Sequence, residues 1–389
     1  LDVVGIVDTW SGATPMGLPP TELDWLSDPM EETRRAGLVT LAREAGEYDF
    51  SFEFGLSHEP DYISRSYAVR LSRQYAEDTL TLSAGLSYLD DTVDTKITGY
   101  PGFDEQTKRT PDINFGAHRI LDPKTTIAVN LSYSRPSGYL SDPYKNVAYY
   151  STVHGAKVLW PTPENRPGTR NVYVVFVEGT RYIESLRSSV QGSYRFFADD
   201  SGLRGNTLEM QWFKRIGENL VIRPLLRYYN QSAADYYVTI LDESKVNDAN
   251  PPTGLAPHYS ADYRISKMES LAYGLKLTMF KGENINLDLA YERYDMEGRD
   301  GVTSPLMYPD ADIYTVGLQW EFLGCTLHPK FPLNSWPMVS FDFNFLPWAH
   351  VAKYYLLQIR WEQPISSERT HSIGYTVLRP VIRDSGTTA

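Results

Sequence analysis

The sequence has a single cysteine, Cys325, among its 389 residues, and it has no excess of positive charge. One cysteine excludes an intrachain disulfide, so a small disulfide-stabilised fold is ruled out. The 37 Lys and Arg residues are outnumbered by 49 Asp and Glu residues, which gives a net charge of −12. Because a protein that binds nucleic acid needs a basic surface to neutralise phosphates, we expect no nucleic-acid partner.

Long apolar runs are also missing. The longest, Val172–Val177, has six residues, whereas a membrane-spanning helix needs about 20. A helical membrane protein is therefore excluded, but a membrane barrel, whose strands need only about 9–11 residues each, is not. The sequence begins at Leu1 without a basic signal region, from which we expect a mature chain whose export signal has been removed.

What the sequence does contain is an apolar residue at every second position, in stretch after stretch. Between Thr79 and Leu89, Leu, Ala and Tyr alternate with Thr, Ser and Gly. The same alternation occurs at 125–134, 204–215 and 312–323. Period two places one set of side chains on each face of a β-strand, while a helix needs spacings of three and four, which are nowhere sustained. The pattern predicts an all-β fold.

The alternation predicts seventeen strands, most of them longer than the strands of soluble sheets and long enough to cross a bilayer at a tilt. They cover residues 2–9, 33–44, 48–58, 62–76, 79–91, 109–120, 125–135, 170–179, 186–197, 204–215, 219–231, 261–280, 284–295, 312–323, 338–346, 351–361 and 370–379. Short connections between them, such as 45–47 and 216–218, alternate with long ones. The long connections are 10–32, 92–108, 136–169, 240–260 and 296–311.

Short turns on one rim and long loops on the other are typical of a bacterial outer-membrane barrel, with short periplasmic turns and long extracellular loops. Because such barrels have an even number of strands, we predict a closed antiparallel transmembrane β-barrel of about 16 strands, within a range of about 14–18. Either one strand precedes Leu1, or one of the last three predicted strands is wrong. Residues 1–380 are then a single barrel domain, and 381–389 are a C-terminal tail.

The two faces of the predicted strands differ as a bilayer requires. The apolar face carries Tyr and Trp residues, whose rings prefer the membrane–water interface. The predicted interface aromatics are Tyr75, Tyr88, Tyr133, Tyr194, Trp212, Tyr228, Tyr291, Trp320 and Trp361. The charged residues on the opposite face, which we predict to line the lumen, are Glu53, Arg70, Glu209, Arg223, Arg227, Lys276, Asp288, Glu292, Glu321, Asp342 and Arg360. A soluble propeller is the alternative, but its repeat of about 40–50 residues is not visible.

Five short motifs occur in order along the chain. They are Asp8-Thr-Trp-Ser-Gly-Ala-Thr-Pro15, Glu32-Thr-Arg-Arg35, Tyr194–Asp200, Arg227–Tyr236 and Ser260–Arg264. Together they resemble a bacterial domain-of-unknown-function family of predicted outer-membrane β-barrels, marked by an S-G-A-[ST]-P signature that is here Ser11 to Pro15. The resemblance covers roughly residues 2–322 and implies a Gram-negative outer membrane without an established activity. Genes of the family tend to lie near those of small lipoproteins, thioredoxin-like proteins and flavin-transferring enzymes, which implies a redox-linked envelope system.

The sequence departs from that family at both ends. A strand expected before the signature is missing, and the last 65 residues follow no family pattern. The chain also ends at Thr387-Thr-Ala389, whereas many barrels end on an aromatic residue.

Carboxylates are clustered at Asp90, Asp91 and Asp94, at Asp199 and Asp200, and at 22–28. Such groups are candidate Ca²⁺ ligands, and the alternative is a solvated loop surface. The seven His residues form no metal-binding or haem-attachment motif. Spacing identifies no Ser–His–carboxylate set. We therefore expect no catalytic residue and no cofactor apart from Ca²⁺, with an outer-membrane hydrolase as the alternative. The small residues at 11–14 predict a tight bend, since they lack the Lys of a phosphate-binding loop.

Charges of both signs are predicted to meet inside the barrel. The Arg34-Arg35 pair, Arg223 and Arg227 face acidic residues, for which Glu209, Asp235 and Glu292 are candidates. Opposed charges across a pore can select the ions that pass. Alternatively, the charges pair with each other and stabilise the wall, and both interpretations stay open. The long loops 136–169 and 240–260, rich in Tyr and Pro, either fold into the lumen or grip a partner.

These patterns favour a porin-like passive conduit for small polar solutes or ions. The alternative is a sealed structural or docking barrel for a cell-envelope complex, which the family resemblance would make redox-linked, and an outer-membrane enzyme ranks third. The expected partners are outer-membrane lipid and other envelope proteins, such as a lipoprotein.

Overall fold

The computed structural model describes residues 2–13, 29–98, 104–247, 252–282, 285–321, 338–344 and 354–362. Side chains in these ranges are described except at 8–13, 29–32, 97–98, 319–321, 338–344 and 354–362. The first ten strands are β1 (Asp2–Ala13), β2 (Pro29–Ala45), β3 (Tyr48–His58), β4 (Tyr62–Tyr75), β5 (Leu80–Asp94), β6 (Glu105–Asp122), β7 (Thr125–Ser134), β8 (Ser137–Gly138), β9 (Asn146–Val153) and β10 (Ala156–Pro163).

The remaining strands are β11 (Val172–Ile183), β12 (Ser188–Asp199), β13 (Arg204–Ile216), β14 (Leu220–Gln231), β15 (Ile240–Leu241), β16 (Met268–Lys281), β17 (Ile285–Gly298), β18 (Ala311–Glu321), β19 (Met338–Asn344) and β20 (Tyr354–Glu362). The helical elements among the described residues are single 3-10 turns at Thr95–Thr98, Glu184–Leu186, Glu243–Lys245, Tyr263–Ile265 and Pro305–Met307. Within the described ranges, no helix is long and apolar enough to cross a membrane.

Four of the twenty described strands, β8, β9, β10 and β15, lie in loops, which leaves sixteen strands in the wall of a barrel. Each wall strand from β1 to β18 pairs antiparallel with the next wall strand along the chain, including β7 with β11 and β14 with β16. The last described strand, β20, pairs antiparallel with β1, and β19 lies beside β20. The order of neighbouring strands therefore runs around a ring and returns to β1. The fold is an antiparallel β-barrel of the outer-membrane type.

Several short turns at one rim of the barrel contain residues with a left-handed backbone conformation, that is, with positive φ. Gly46 and Gly217 adopt φ of 66° and 60° in the β2–β3 and β13–β14 turns, a conformation that suits glycine because it has no Cβ. Residues 76–78 of the β4–β5 turn also have positive φ. We call this end the short-turn rim and the opposite end the long-loop rim.

The outer face of the wall is apolar and exposed. In β3 the side chains of Phe50, Phe52, Phe54 and Leu56 are 37–49% exposed, while the residues between them are half-buried or buried. The same alternation holds in β4, β5 and β13. A soluble sheet buries its apolar face, whereas a membrane barrel presents it to lipid. The pattern therefore identifies the outer face and rules out the soluble propeller.

The buried apolar core lies at the long-loop rim rather than between two sheets. One cluster contains Met268, Met296 and Tyr308, a second contains Val147 and Tyr259, and a third surrounds Leu203, Ala234 and Ile265. All three clusters include residues of the loops 135–171, 232–267 or 299–310. These loops are therefore folded structures.

The all-β barrel predicted from the alternation is confirmed, and the sixteen described wall strands match the predicted number. Three details were wrong. Residues 11–13 do not form the predicted tight bend, because β1 continues to Ala13 and pairs there with β2. The segments 136–169 and 240–260 are not plain loops, because β9, β10 and β15 form a separate three-stranded sheet there. The strand predicted at 261–280 begins only at Met268. The predicted strand 370–379, the carboxylates at 22–28 and the tail 381–389 lie outside the described residues.

Candidate functional site

The inner face of β13, β14, β16 and β17 carries six of the charged residues predicted to line the lumen: Glu209, Arg223, Arg227, Lys276, Asp288 and Glu292. All six are half-buried. They alternate along their strands with the exposed apolar residues of the outer face, such as Leu208, Met210 and Leu226. Strand geometry therefore points them toward the inside of the ring.

These charges are arranged in neighbouring pairs. Glu209 is directly opposite Arg227 in the β13–β14 register. Lys276 Nζ lies 2.6 Å from Asp288 Oδ2, and both side chains remain more than a quarter exposed. The positive charge of Arg227 also attracts the carboxylate of Glu292. The inner wall therefore presents acidic and basic groups side by side, in contact with the lumen.

The other predicted lumen residues are distributed around the ring. Glu53, on the inner face of β3, accepts a 3.4 Å hydrogen bond from Thr40 Oγ1, and Arg70, also on the inner face, is exposed. Arg34 and Arg35 are consecutive strand residues and point to opposite faces, so only Arg34 faces inward. The side chains of Glu321, Asp342 and Arg360 lie outside the described part of the chain, and their lumen role stays a prediction.

The predicted interface aromatics lie on the outer face. Tyr75, Tyr88, Tyr194, Trp212, Tyr228 and Tyr291 are all 38–41% exposed, among the apolar residues of the wall. Tyr133 is half-buried because it packs against Tyr173, with ring centroids 5.2 Å apart. The side chains of Trp320 and Trp361 lie outside the described part of the chain.

The candidate Ca²⁺ ligands do not converge. Asp90 points outward, 3.7 Å from Arg109, while Asp91 points inward and accepts a 2.6 Å hydrogen bond from Tyr62. Asp94 accepts a hydrogen bond from the backbone N–H of Lys96.

Asp199 and Asp200, the second group of candidate Ca²⁺ ligands, also accept hydrogen bonds from the protein. Asp199 accepts from the N–H groups of Ser201 and Leu203, and Asp200 accepts from Asn171. Among the described residues, no group of three or more His, Cys, Asp or Glu is arranged to hold a metal ion. Calcium binding stays a prediction.

A network of charges joins two long loops, the β7–β11 loop (135–171) and the described parts of the β14–β16 loop (232–247 and 252–267), which together we call the loop platform. Arg166 Nη2 lies 2.6 Å from Asp262 Oδ2, and Arg166 Nε lies 2.6 Å from Glu164 Oε1. Arg264 pairs with Asp262, at 2.6 Å, and with Asp142. The side chains of Glu164 and Asp262 have no exposed surface. These five charged side chains, two of which are fully buried carboxylates, thus hold the two loops together.

The network shifts the acidity of its own carboxyl groups. Burial raises the pKa of Glu164, although the positive charge of Arg166 opposes the shift. Burial acts in the same direction on Asp262, but Arg166 and Arg264 outweigh it and lower its pKa. Asp142 is likewise subject to burial, and Arg264 lowers its pKa on balance. Two of the three carboxyl groups are therefore held ionised by the arginines.

Asn165, which has no exposed surface, ties the same loops together through hydrogen bonds. Its backbone N–H and C=O pair with those of Tyr259, at 3.0 and 2.9 Å. Its Nδ2 donates to the carbonyl oxygens of Leu255 and Pro257, and its Oδ1 accepts from the N–H of Gly254. One amide side chain thus meets three backbone groups of the other loop.

The loop platform lies inside the mouth of the barrel. Inward-facing residues at the long-loop ends of β13 to β17 are buried beneath it, among them Thr207, Gln231 and Ala272, which are 3–7% exposed. Gln231 Nε2 donates to the loop carbonyl oxygens of Arg264 and Ser266, at 2.9 and 2.6 Å. The loops cover the inner face of the wall, so they narrow the lumen at this rim.

The platform also reaches both sides of the ring. Tyr144 donates a 2.5 Å hydrogen bond to Asp61 in the β3–β4 connection, and the Tyr237 hydroxyl lies 2.5 Å from Thr303 Oγ1 in the β17–β18 connection. In one direction around the ring, ten of the sixteen described wall strands lie between these two contacts: β4 to β7, β11 to β14, β16 and β17.

Asp262 and Arg264 of the platform lie in the motif Ser260–Arg264, but their partners in the other loop carry no signal in the sequence. The alternation located the two loops, but it gave no sign of Asn165, Arg166 and Glu164, whose partners are about 90 positions away. Only knowledge of which loops meet at the rim would have found them.

A profile of the family described as "Protein of unknown function (DUF3570)" matches residues 21–311. The chain belongs to the DUF3570 family. The predicted resemblance to a domain-of-unknown-function barrel family is therefore confirmed. Four of the five motifs that carried it lie within the matched range, and Asp8–Pro15 precedes it. No significant match to this DUF3570 chain exists among curated proteins.

Solved structures similar to the DUF3570 chain include CdiB from Acinetobacter baumannii, with a TM-score of 0.48 and 8% identity over 92% of this chain and 60% of CdiB. CdiB from Escherichia coli gives 0.46 and 10% identity over 92% and 62%. A bacterial polysaccharide outer membrane secretin gives 0.45 and 8% identity over 92% and 96%. The chain thus spans about 60% of the length of the CdiB proteins.

Proposed function

We propose that this DUF3570 protein is a porin-like passive conduit for small polar solutes or ions in the outer membrane. The observation that carries the proposal is the charged, solvent-contacting inner wall, where Glu209, Arg227, Lys276 and Asp288 stand opposite an apolar outer face. If the barrel were purely structural and its own side chains filled the interior, apolar packing would stabilise it more than half-exposed charges do. The proposed mechanism is diffusion past these charges, without turnover.

The size of the ring supports a conduit. With strands about 4.8 Å apart and tilted by about 40°, sixteen of them enclose a backbone diameter of about 30 Å, which leaves an aqueous channel unless loops fill it. The loop platform narrows this channel at the long-loop rim. Solutes would therefore pass a constriction before they meet the charged wall.

The test is the conductance of the purified barrel in a planar bilayer, with Arg223→Ala/Arg227→Ala as the variant. An ion about 8 Å from each arginine in a wet lumen interacts with it by about 0.5–1 kcal/mol. Loss of two positive charges, about 1–2 kcal/mol together, should therefore shift permeability toward cations by about fivefold or more. The matched control is Arg43→Ala/Arg73→Ala, which removes two arginines from the outer face near the short-turn rim.

The alternative function is a sealed structural or docking barrel for an envelope complex. The observation that favours it is the platform itself, which is anchored on both sides of the mouth. A barrel that inserts, as shown by faster gel migration without heating, but conducts no current would refute the conduit and favour the sealed barrel. Equal selectivity of the inner-wall variant and its control would refute the role of the two arginines.

A further inference from the structure

A basic patch lies on the outer face of the wall at the long-loop rim. It surrounds a concavity of about 380 Å³. Glu269, Gln231 and Met268 also line the concavity. Its basic residues are Arg204, Lys267 and Arg299, and the uncharged polar residues beside them on the outer face are Asn206, Asn230 and Ser232. We call these six residues the outer-rim patch.

The strand register places the patch directly beyond the apolar belt. Asn206 pairs with Asn230 on the face that also carries Leu208 and Tyr228, which are 59% and 38% exposed. The rows that contain Asn230 and Tyr228 are two residues apart, or about 7 Å along a strand. A lipid whose chains cover the belt would therefore have its headgroup at the height of the patch.

Two of the three cations are available to a ligand. Arg299 pairs with Glu269 and, at 2.9 Å, with Glu297. Arg204 and Lys267 are exposed and form no ion pair within the described part of the chain. A cation at a membrane surface without a carboxylate partner is a site for an anionic headgroup.

Backbone hydrogen bonds hold the strand ends of the patch in place. Arg204 and Ser232 are joined by two bonds of 2.9 Å, one from the Arg204 N–H to Ser232 Oγ and one from the Ser232 N–H to the Arg204 carbonyl oxygen. The Arg299 N–H donates to the Lys267 carbonyl oxygen at 2.7 Å. The cations therefore project from an ordered frame, which lowers the entropic cost of binding.

We infer that the outer-rim patch binds the phosphate of a lipid headgroup in the leaflet at the long-loop rim. Arg204 and Lys267 supply the charge, and the side-chain amides of Asn206 and Asn230 supply N–H donors beside it. The Ser232 hydroxyl is already engaged with the Gly202 carbonyl oxygen. The adjoining belt favours a lipid over free phosphate, because the acyl chains add apolar contact area. This inference depends on the barrel being in a membrane and is independent of whether it conducts.

The test measures lipid binding to the purified barrel by native mass spectrometry, with phosphatidic acid as the probe and phosphatidylcholine as the neutral comparison. Arg204→Gln/Lys267→Gln should bind phosphatidic acid about tenfold to thirtyfold more weakly, because each cation strengthens binding about fivefold. Glu269→Gln/Glu297→Gln should bind it more tightly, because Arg299 is released from its carboxylate partners. Arg73→Gln, on the outer face near the other rim, is the control and should bind as wild type does, because Arg73 is already paired with Glu47 at 2.9 Å.

Faster gel migration without heating shows that each variant is folded. The inference is overturned if wild type binds the two lipids equally, or if Arg204→Gln/Lys267→Gln binds phosphatidic acid no more weakly than the control variant. Displacement of phosphatidic acid by an equal concentration of inorganic phosphate would overturn the lipid assignment and indicate a site for the free anion.

Discussion

Arg166 is the residue whose loss should release the loop platform. It lies between Glu164 and Asp262, whose side chains have no exposed surface. Arg166→Met keeps most of the side-chain volume but leaves two buried carboxylates without their shared cation. Removal of one partner from a buried ion pair costs about 3–5 kcal/mol. The free energy that keeps the platform docked should fall by that amount.

The assay is hydrogen exchange of the paired backbone amides of Asn165 and Tyr259, which hold the two loops together. A loss of about 3–5 kcal/mol corresponds to exchange about 150 to 4,000 times faster. Amides in the wall strands should not change, because the wall ladders do not involve the platform. Exchange confined to the two loops would therefore separate release of the platform from unfolding of the barrel.

The matched control is Arg299→Ala at the same rim. Arg299 also pairs with two carboxylates, Glu269 and Glu297, but all three side chains are exposed by 29–63%. Such a pair contributes about 1 kcal/mol or less. If Arg166→Met accelerates exchange no more than Arg299→Ala does, the buried network does not hold the platform. The triple change Arg166→Met, Glu164→Gln and Asp262→Asn should restore much of the protection, because the two carboxyl groups that lost their shared cation are then replaced by neutral amides.

Three further predictions concern acid, a close backbone approach and the lipid face. Acid should loosen the platform below about pH 4, the ordinary pKa of Asp, because the two network aspartates with lowered pKa stabilise it only while ionised. Protection of the Asn165 and Tyr259 amides relative to their intrinsic exchange rates that stays constant down to about pH 2 would contradict this. Gly254→Ala should lower the free energy of docking of the platform by more than about 1 kcal/mol, because φ is +69° and the new Cβ would lie 2.7 Å from the facing backbone. Gly282→Ala is the control: φ is +66° but the Cβ would have open space, so exchange in the platform should not change. Phe52→Arg on the outer face should destabilise the barrel in vesicles by about 2–4 kcal/mol, and Ser51→Arg on the inner face by much less; equal urea midpoints would contradict the assignment of the faces.

The wall could be predicted from the sequence because its signal is local. The strands predicted at 48–58 and 62–76 are β3 and β4 to within one residue. Period two is set by the pleat itself and needs no knowledge of distant partners. The same alternation assigns the faces, which is why Glu209 and Arg227 could be placed together on the inner face from their positions in the sequence.

The platform could not be predicted in the same way because its contacts join distant parts of the chain. Arg166 and Asp262 are 96 positions apart, and period two carries no information about such distant partners. The strands β9 and β10 carry the alternation only weakly and include Pro161 and Pro163, which favoured a loop. The segment 261–267 continues into a true strand, so the predicted strand began too early.

The platform also sets an order of events during assembly. Arg166 follows β10 and Asp262 precedes β16, so the two halves of the network are delivered by different hairpins of the wall. Each loop holds one ion pair of its own, but the pairs that join the loops, Arg166 with Asp262 and Arg264 with Asp142, form only when the β7–β11 and β14–β16 connections are both on the far side of the membrane. The network is therefore completed late, after most of the wall has been threaded. A barrel stalled midway would leave its long loops open to proteases outside the cell, and a finished one would not.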